Sequence, residues 1–158
     1  MNSRYIRQHN NELLLQYASE GKDSSVTELL DANLAIKAVE VNCVRETDFS
    51  TPLHLAVESG DLYTVNLLIQ NGSHLDQRRL DGKTPLFLAA ENNHVDIAEL
   101  LLVNGAHVNK PVGTHQYVTS PLIEAKSKNN TDMVNLLLKF NASDSSENTH
   151  ATLKEVSV

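Results

Sequence analysis

The chain has 158 residues and a formal net charge of −7 at neutral pH. An acidic surface repels nucleic-acid phosphates and anionic lipid headgroups, so the charge argues against both as partners and favours a basic or mixed-charge protein. The single cysteine, Cys43, excludes an intrachain disulfide and a thiolate metal cluster. Because no apolar run is long enough for a signal sequence or a membrane span, we expect a soluble cytoplasmic protein, with the nucleus or a host-cell cytosol as alternatives.

The N-terminal part predicts two helices. Apolar residues cluster from Leu14 to Ala18 and again from Val26 to Leu30, with Gly21 between the two groups. We expect Asn33 to end the second helix, because asparagine tolerates a left-handed backbone. A long loop follows before the next regular element.

An internal repeat begins after this loop. Residues 51–56 read TPLHLA, residues 84–89 read TPLFLA and residues 120–125 read SPLIEA, which places the three prolines 33 and 36 positions apart. An apolar block follows each: VNLLI at 65–69, IAELLL at 97–102 and MVNLLL at 133–138. Each unit therefore predicts two helices.

The unit boundaries carry residues that start and end helices. Thr51, Thr84 and Ser120 offer side-chain oxygens to unpaired backbone N–H groups, and the following proline suits the first helical position. Glycine and asparagine stand where each helix must end, because these residues accept a left-handed backbone. The predicted stops are Gly60, Gly72, Asn93, Gly105, Asn129 and Asn141.

These residues resemble the ankyrin repeat, whose T-P-L-H-x-A motif stands at 51–56, followed by a turn, by V-x-L-L and by NGSHL or NGAHV. The resemblance implies an all-α solenoid of about four stacked helix-turn-helix units joined by β-hairpin-like loops. The expected segments are an N-terminal capping repeat (1–33), an extended inter-repeat loop (34–50), repeats at 46–78 and 79–111, a C-terminal repeat with an enlarged hairpin (112–142), and a tail (143–158) that is disordered or a short capping helix.

Two loops depart from the pattern. The glycine at Gly82 is replaced by Phe49 in the preceding unit and by Val118 in the following one, which predicts distorted hairpins.

The last helix, which contains Met133 and Phe140, is more apolar than a solvent-facing cap requires. We therefore expect a monomer whose C-terminal repeat is covered by the tail or by a further element, or associates with another molecule.

Ser50, His54 and Asp61 supply the residue types of a hydrolase triad but lack a nucleophile elbow and an oxyanion motif. We interpret His54 as a structural residue that bonds Thr51 or the loop backbone, which is the use that the resemblance implies.

Other reactive residue types also favour structural interpretations. His74, His107 and His115 lie in loops without obvious supporting carboxylates, so solvated histidines are expected instead of a metal site. Cys43 has no paired histidine and is expected to be inert. We predict a non-enzyme with no catalytic residues, cofactor or metal.

The resemblance implies a module that binds another protein on a concave face of loop tips and first helices, as an adaptor, inhibitor or effector. The alternative is an undetected enzyme or a regulatory fragment of a larger enzymatic assembly. Asn42 resembles a site of asparaginyl hydroxylation in ankyrin proteins. The expected partner-binding residues are Thr47, Asp48, Phe49, Ser50, Glu58, Ser59, Arg78, Leu80, Asp81, Lys83, Glu91, Asn92, Gln116, Tyr117, Val118, Thr119, Ser127 and Lys128.

Overall fold

The computed structural model describes residues 3–36, 39–114 and 117–144. Within these ranges the chain forms eight helices and one two-stranded hairpin. In chain order they are α1 (Ser3–Glu20), α2 (Asp23–Ile36), α3 (Pro52–Ser59), α4 (Leu62–Gln70), α5 (Pro85–Glu91), α6 (Val95–Val103), β1 (Val112–Thr114), β2 (Tyr117–Thr119), α7 (Pro121–Ser127) and α8 (Thr131–Lys139).

The helices pack in two layers. Each odd-numbered helix contacts the even-numbered helix that follows it, and α1, α3, α5 and α7 stack in sequence as one layer while α2, α4, α6 and α8 stack as the other. Ala56, Ala89 and Ala125 are fully buried in the first layer, where small side chains let neighbouring helices approach closely. The mostly helical stack of paired units confirms the predicted fold class.

The predicted helix starts are confirmed. Thr51 Oγ1 accepts a hydrogen bond from the backbone N–H three residues later, and Thr84 and Ser120 do the same in their units. The six predicted stops all have positive φ, between 58° and 99°. Local residue chemistry therefore sets the helix boundaries of the three repeated units.

The N-terminal unit differs from the prediction at two points. Asn33 does not end α2, which continues to Ile36. Asparagine tolerates a left-handed backbone without requiring it, and Leu34, Ala35 and Ile36 are compatible with continued helix. In addition, α1 begins at Ser3 and is 18 residues long, more than twice the length of α3.

The last helix buries most of its apolar residues within the stack. Met133 and Leu137 are fully buried, and Val134 and Phe140 are half-buried, which leaves Leu138 as the exposed large apolar side chain of α8. The covering segment and the association through this repeat stay predictions, and the tail from residue 145 lies outside the described residues. Across the described ranges, no helix is both long and apolar enough to cross a membrane.

Candidate functional site

The first two hairpin tips share one backbone construction. The N–H of Arg45 donates to the carbonyl of Ser50 at 2.8 Å, and the N–H of Arg79 donates to that of Lys83 at 3.1 Å. Phe49 has φ 58° and Gly82 has φ 82°, so both occupy the left-handed region. The first tip is one residue longer than the second and still forms the closing backbone hydrogen bond. Phe49 carries backbone strain there that a glycine would not.

The third hairpin is built differently. β1 and β2 pair antiparallel, with Val112 opposite Thr119 and Gly113 opposite Val118. Among the described residues of this hairpin, Gly113 has the positive φ, at 121°. The distortion predicted from Val118 is therefore a change of hairpin type, in which the glycine has moved to the other strand.

A network of charged side chains joins these tips to the first-layer helices. Arg79 contacts Glu58 of α3 at 2.6 Å and Asp81 of its own tip at 2.9 Å. Lys83 contacts Glu91 of α5 at 2.8 Å, and the Lys128 ammonium donates to the Glu91 carbonyl at 2.8 Å. These contacts place tips and helix ends on one surface. We use the name tip face for the three hairpin tips, which are residues 45–50, residues 79–83 and the β1–β2 hairpin, together with the exposed residues of α3, α5 and α7.

The ion pairs of the two arginines shift the pKa values of the paired groups so that the charged forms are favoured. The Arg79 side chain is only 14% exposed. Partial burial works to lower its pKa, but the hydrogen bonds that Arg79 donates to Asp81 and Glu58 outweigh this and raise the pKa overall. In the first tip, the hydrogen bond from Arg45 holds the pKa of Asp48 well below its ordinary value. Arg79 and Asp48 therefore stay ionised throughout the physiological pH range.

Three large apolar side chains stand exposed on the same tips. Phe49 is 48% exposed, Leu80 68% and Val118 56%. The Leu80 N–H donates to the Asp48 carbonyl at 2.8 Å, which ties the second tip to the first. The tip face therefore combines apolar side chains on a bonded backbone with charged groups that pair among themselves.

Three repeats of the chain, at residues 14–112, match the family model described as ankyrin repeats. The chain belongs to the ankyrin repeat family. The match includes the atypical N-terminal unit and stops where the enlarged hairpin begins, so the fourth ankyrin unit is supported by its helix pair and its Ser-Pro start. No curated protein matches the chain in sequence. Ankyrin repeats are generally protein-interaction modules and typically non-catalytic, and no catalytic domain is identified in this chain.

The ankyrin histidine, His54, is a structural residue here. It is fully buried, its Nδ1 lies 3.1 Å from the Thr51 backbone nitrogen and 2.8 Å from the Thr51 hydroxyl, and its Nε2 lies 3.0 Å from the Gln77 carbonyl oxygen. These partners assign the proton to Nε2, since Nδ1 must accept from the Thr51 N–H. Burial lowers the pKa of His54 despite its backbone hydrogen bonds.

The triad interpretation fails on geometry. The Ser50 hydroxyl donates to Asp48 at 2.8 Å, while Asp61 caps α4 by accepting from the Thr64 N–H at 3.1 Å. Ser50, His54 and Asp61 thus each have separate structural partners, and neither nitrogen of His54 is available to activate a nucleophile.

Successive ankyrin loops are joined by one repeated side-chain contact. Asn42 accepts from the His74 N–H at 2.7 Å, Asp76 accepts from the His107 N–H at 3.0 Å, and Asn109 accepts from the Ser143 N–H at 2.9 Å. Both asparagines also donate to a carbonyl of the following unit, Asn42 to Gly72 and Asn109 to Asn141. We call these three residues the loop clasps.

The loop histidines and Cys43 show no reactive arrangement. His107 Nδ1 pairs with Asp76, His115 lies outside the described residues, and no group of three or more His, Cys, Asp or Glu in the described ranges could hold a metal ion. Burial raises the pKa of the Cys43 thiol to about 12, so the nucleophilic thiolate is scarce at neutral pH.

An open cleft of about 810 Å³ separates α1 from the loop that carries the first tip. Contacts that cross it include an ion pair between Arg7 and Glu40 at 3.6 Å, a hydrogen bond from the Glu40 N–H to Asn11 at 2.8 Å, and one from the Cys43 thiol to the Asn11 carbonyl at 3.8 Å. The N-terminal extension of α1 thus supports the loop leading to Phe49.

Most predicted partner-binding residues reach the surface of the tip face. Ser50 does not, because it is fully buried and supports the tip through Asp48. Gln116 lies outside the described residues, and Tyr117 is placed only as part of β2. The residues predicted for this surface did not include Arg45, Arg79 and Glu124. A signal for the two arginines was present, because an arginine followed by an aspartate precedes both Thr51 and Thr84. The exposed members are Thr47, Phe49, Glu58, Ser59, Arg78, Leu80, Asp81, Asn92, Val118, Ser127 and Lys128, and the half-buried ones are Asp48, Lys83, Glu91 and Thr119.

Proposed function

We propose that this ankyrin array is a non-catalytic module that binds a partner protein on the tip face, which corresponds to the concave face of the family, and so serves as an adaptor, inhibitor or effector. The observation that carries the proposal is the row of exposed Phe49, Leu80 and Val118 on tips whose backbones are already hydrogen-bonded. Large apolar side chains on loop tips contribute little to folding, whereas burying them against a partner removes apolar area from water, which is the dominant favourable term in most protein association.

Phe49 supports this most strongly. Its backbone has φ 58°, where Gly82 of the next tip is unstrained, and about half of its ring still faces solvent. A non-glycine residue in this region costs on the order of 1 kcal/mol, and the exposed ring recovers little of that by burial. A binding role accounts for retaining phenylalanine at this position.

Affinity capture with matched variants tests the proposal. The double variant Phe49→Ala/Leu80→Ala removes two tip side chains, while Tyr63→Ala/Val103→Ala removes two comparably exposed apolar side chains from the second helix layer. The proposal predicts a protein that wild type and the second-layer variant retain and that the tip variant loses, with all three chains equally folded. If the tip variant retains the protein and the second-layer variant loses it, the interface lies on the second helix layer and the proposal is wrong.

A further inference from the structure

The charged residues of the tip face balance in number, and all but one have partners within the described residues. The set comprises the charged residues expected to contact a partner, together with Arg45, Glu46, Arg79, Glu124 and Lys126, and we call it the charge network. Its members are six acids, Glu46, Asp48, Glu58, Asp81, Glu91 and Glu124, and six bases, Arg45, Arg78, Arg79, Lys83, Lys126 and Lys128. The network therefore has a formal charge of zero on a chain whose net charge is −7.

Every member except the exposed Glu46 has a partner among the described residues, and Lys126 pairs with Asp144 at 3.1 Å. Besides the ion pairs of Arg45, Arg79 and Lys83, Lys128 contacts Glu124 at 3.0 Å. Arg78 donates to the carbonyls of Pro111 at 2.7 Å and Gly82 at 3.2 Å. The excess acid of the molecule lies elsewhere, with Glu28, Asp31, Asp96 and Asp132 exposed on the second helix layer.

A charged partner gains little from such a surface. To bind Glu58 or Asp81, a basic partner residue must displace Arg79, which is largely buried between both carboxylates. Breaking one side of a shielded pair leaves an uncompensated charge, and this cost offsets the new contact. Apart from the exposed Glu46 carboxylate, the large side chains described on these tips that remain without a competing partner are the apolar Phe49, Leu80 and Val118.

From these contacts we infer that the tip face recognises a protein segment that carries no net charge and presents apolar side chains. The inference rests on the proposed function and specifies its partner. It also revises the expectation of a basic or mixed-charge partner, which followed from the total charge of the chain. The excess negative charge lies away from the tips that carry Phe49, Leu80 and Val118. Binding is therefore dominated by burial of apolar area and depends little on ionic strength.

A displayed library of random peptides, each about 12 residues long, provides the probe. Selection is carried out on the wild-type chain, and every enriched peptide is then measured against Phe49→Ala/Leu80→Ala and against Tyr63→Ala/Val103→Ala. The inference predicts enriched peptides with net charge near zero that lose about ten-fold or more in affinity on the tip variant alone, and whose Kd changes less than about two-fold between about 50 and 500 mM NaCl.

Two different failures are distinguishable. If peptides that depend on Phe49 and Leu80 are mostly basic, and their affinity falls about ten-fold or more with added salt, the tip face binds proteins but the inference about its partner is wrong. If the enriched peptides bind the tip variant as well as wild type, or if no peptide is enriched, the proposed function fails and the inference fails with it.

Discussion

The imidazole of His54 joins the first helix of its ankyrin unit to the loop at the end of that unit, because its Nε2 donates to the carbonyl of Gln77, 23 positions later in the chain, at 3.0 Å. The same ring caps α3 through Thr51, so one buried side chain fixes a helix start and the loop that leads to the next tip. The residue most suggestive of catalysis thus has a positional function. Phe87 occupies the equivalent place in the next unit and is also buried, which shows that the fold accepts an apolar ring there.

The His54→Phe variant should lose stability and part of its pH dependence. At pH 7.5 we expect a loss of about 1–3 kcal/mol in the free energy of unfolding, since the Gln77 carbonyl and the Thr51 N–H lose a buried partner. Burial lowers the pKa of His54 in the folded state, so the unfolded chain takes up the proton first as pH falls. The stabilisation is complete above the unfolded pKa of about 6.5 and decreases as pH falls from there towards the folded pKa.

Urea unfolding between pH 8 and 5 measures this effect, with His74→Ala as the control because His74 is exposed in a loop. Wild type and His74→Ala should both lose stability below about pH 6.5, while His54→Phe should show a flatter profile. Identical slopes for all three chains would show that His54 does not titrate differently in the folded and unfolded states.

Substitutions at Phe49 should separate backbone strain from side-chain function. Phe49→Gly is expected to raise the free energy of unfolding by up to about 1 kcal/mol, because glycine is unstrained at φ 58°. Phe49→Ala keeps the left-handed strain and removes an exposed ring, so its thermal midpoint should change little. A large loss of stability in Phe49→Ala, measured by thermal unfolding, would mean that the ring is a packing residue and not an anchor.

Asp23→Asn should stabilise the junction between the first two units. Asp61 Oδ2 is buried and receives no hydrogen bond within the described part of the chain, and a hydrogen bond to Asp61 raises the pKa of the neighbouring Asp23. That bond exists only while Asp23 is protonated, so the wild type loses it as pH rises through the raised pKa. An asparagine amide donates at any pH. Since Asp23 is only half-buried, solvent screens the contact and the gain at pH 7 should be no more than about 1 kcal/mol.

The gain should disappear below about pH 4, where wild-type Asp23 is protonated. Asp31→Asn on the same helix serves as control for simple removal of negative charge, since Asp31 is exposed. Equal stabilisation by both substitutions would point to general charge repulsion instead of the Asp23–Asp61 contact.

The loop clasps should each contribute to coupling between units. Asn42→Ala removes an acceptor for the His74 N–H and a donor to the Gly72 carbonyl, and we expect a loss of about 1–2 kcal/mol by urea unfolding. Asn42→Asp retains the acceptor, as Asp76 does naturally, and should cost less. If the two substitutions have the same effect, the contact to His74 is not the stabilising one. Hydroxylation of Asn42 stays a prediction, which intact-mass measurement after co-expression with the hydroxylase would check.

The sequence predicts the helix boundaries of the repeated units well because their signals are local. Thr51 and Pro52 start a helix, and Gly60 ends it, through interactions within a few residues. Asn33 is the exception. Asparagine can adopt a left-handed backbone, from which we predicted a helix end, but it does not have to, and α2 continues to Ile36. The extent of α1 was also unpredicted, since residues 3–13 are largely polar and lack a strong apolar period.

The site was only partly predictable because its decisive contacts are distant in sequence. Exposed Phe49 and Leu80 follow from their loop positions, but Arg79 and Glu58 are 21 positions apart and meet only when adjacent units stack. The neutrality of the charge network depends on such pairings and not on composition. The total charge of the chain suggested a basic or mixed-charge partner, whereas the pairings on the tip face lead to the inference of a partner segment without net charge.

A photo-crosslinking amino acid placed at position 80 or at position 103 tests the central claim most directly. Leu80 on the second tip is 68% exposed and Val103 on α6 is 69% exposed, so the two positions differ in location and not in accessibility. Irradiation of the chain with its captured partner should give a covalent adduct from position 80 and none from position 103. An adduct from position 103 alone would contradict binding on the tip face.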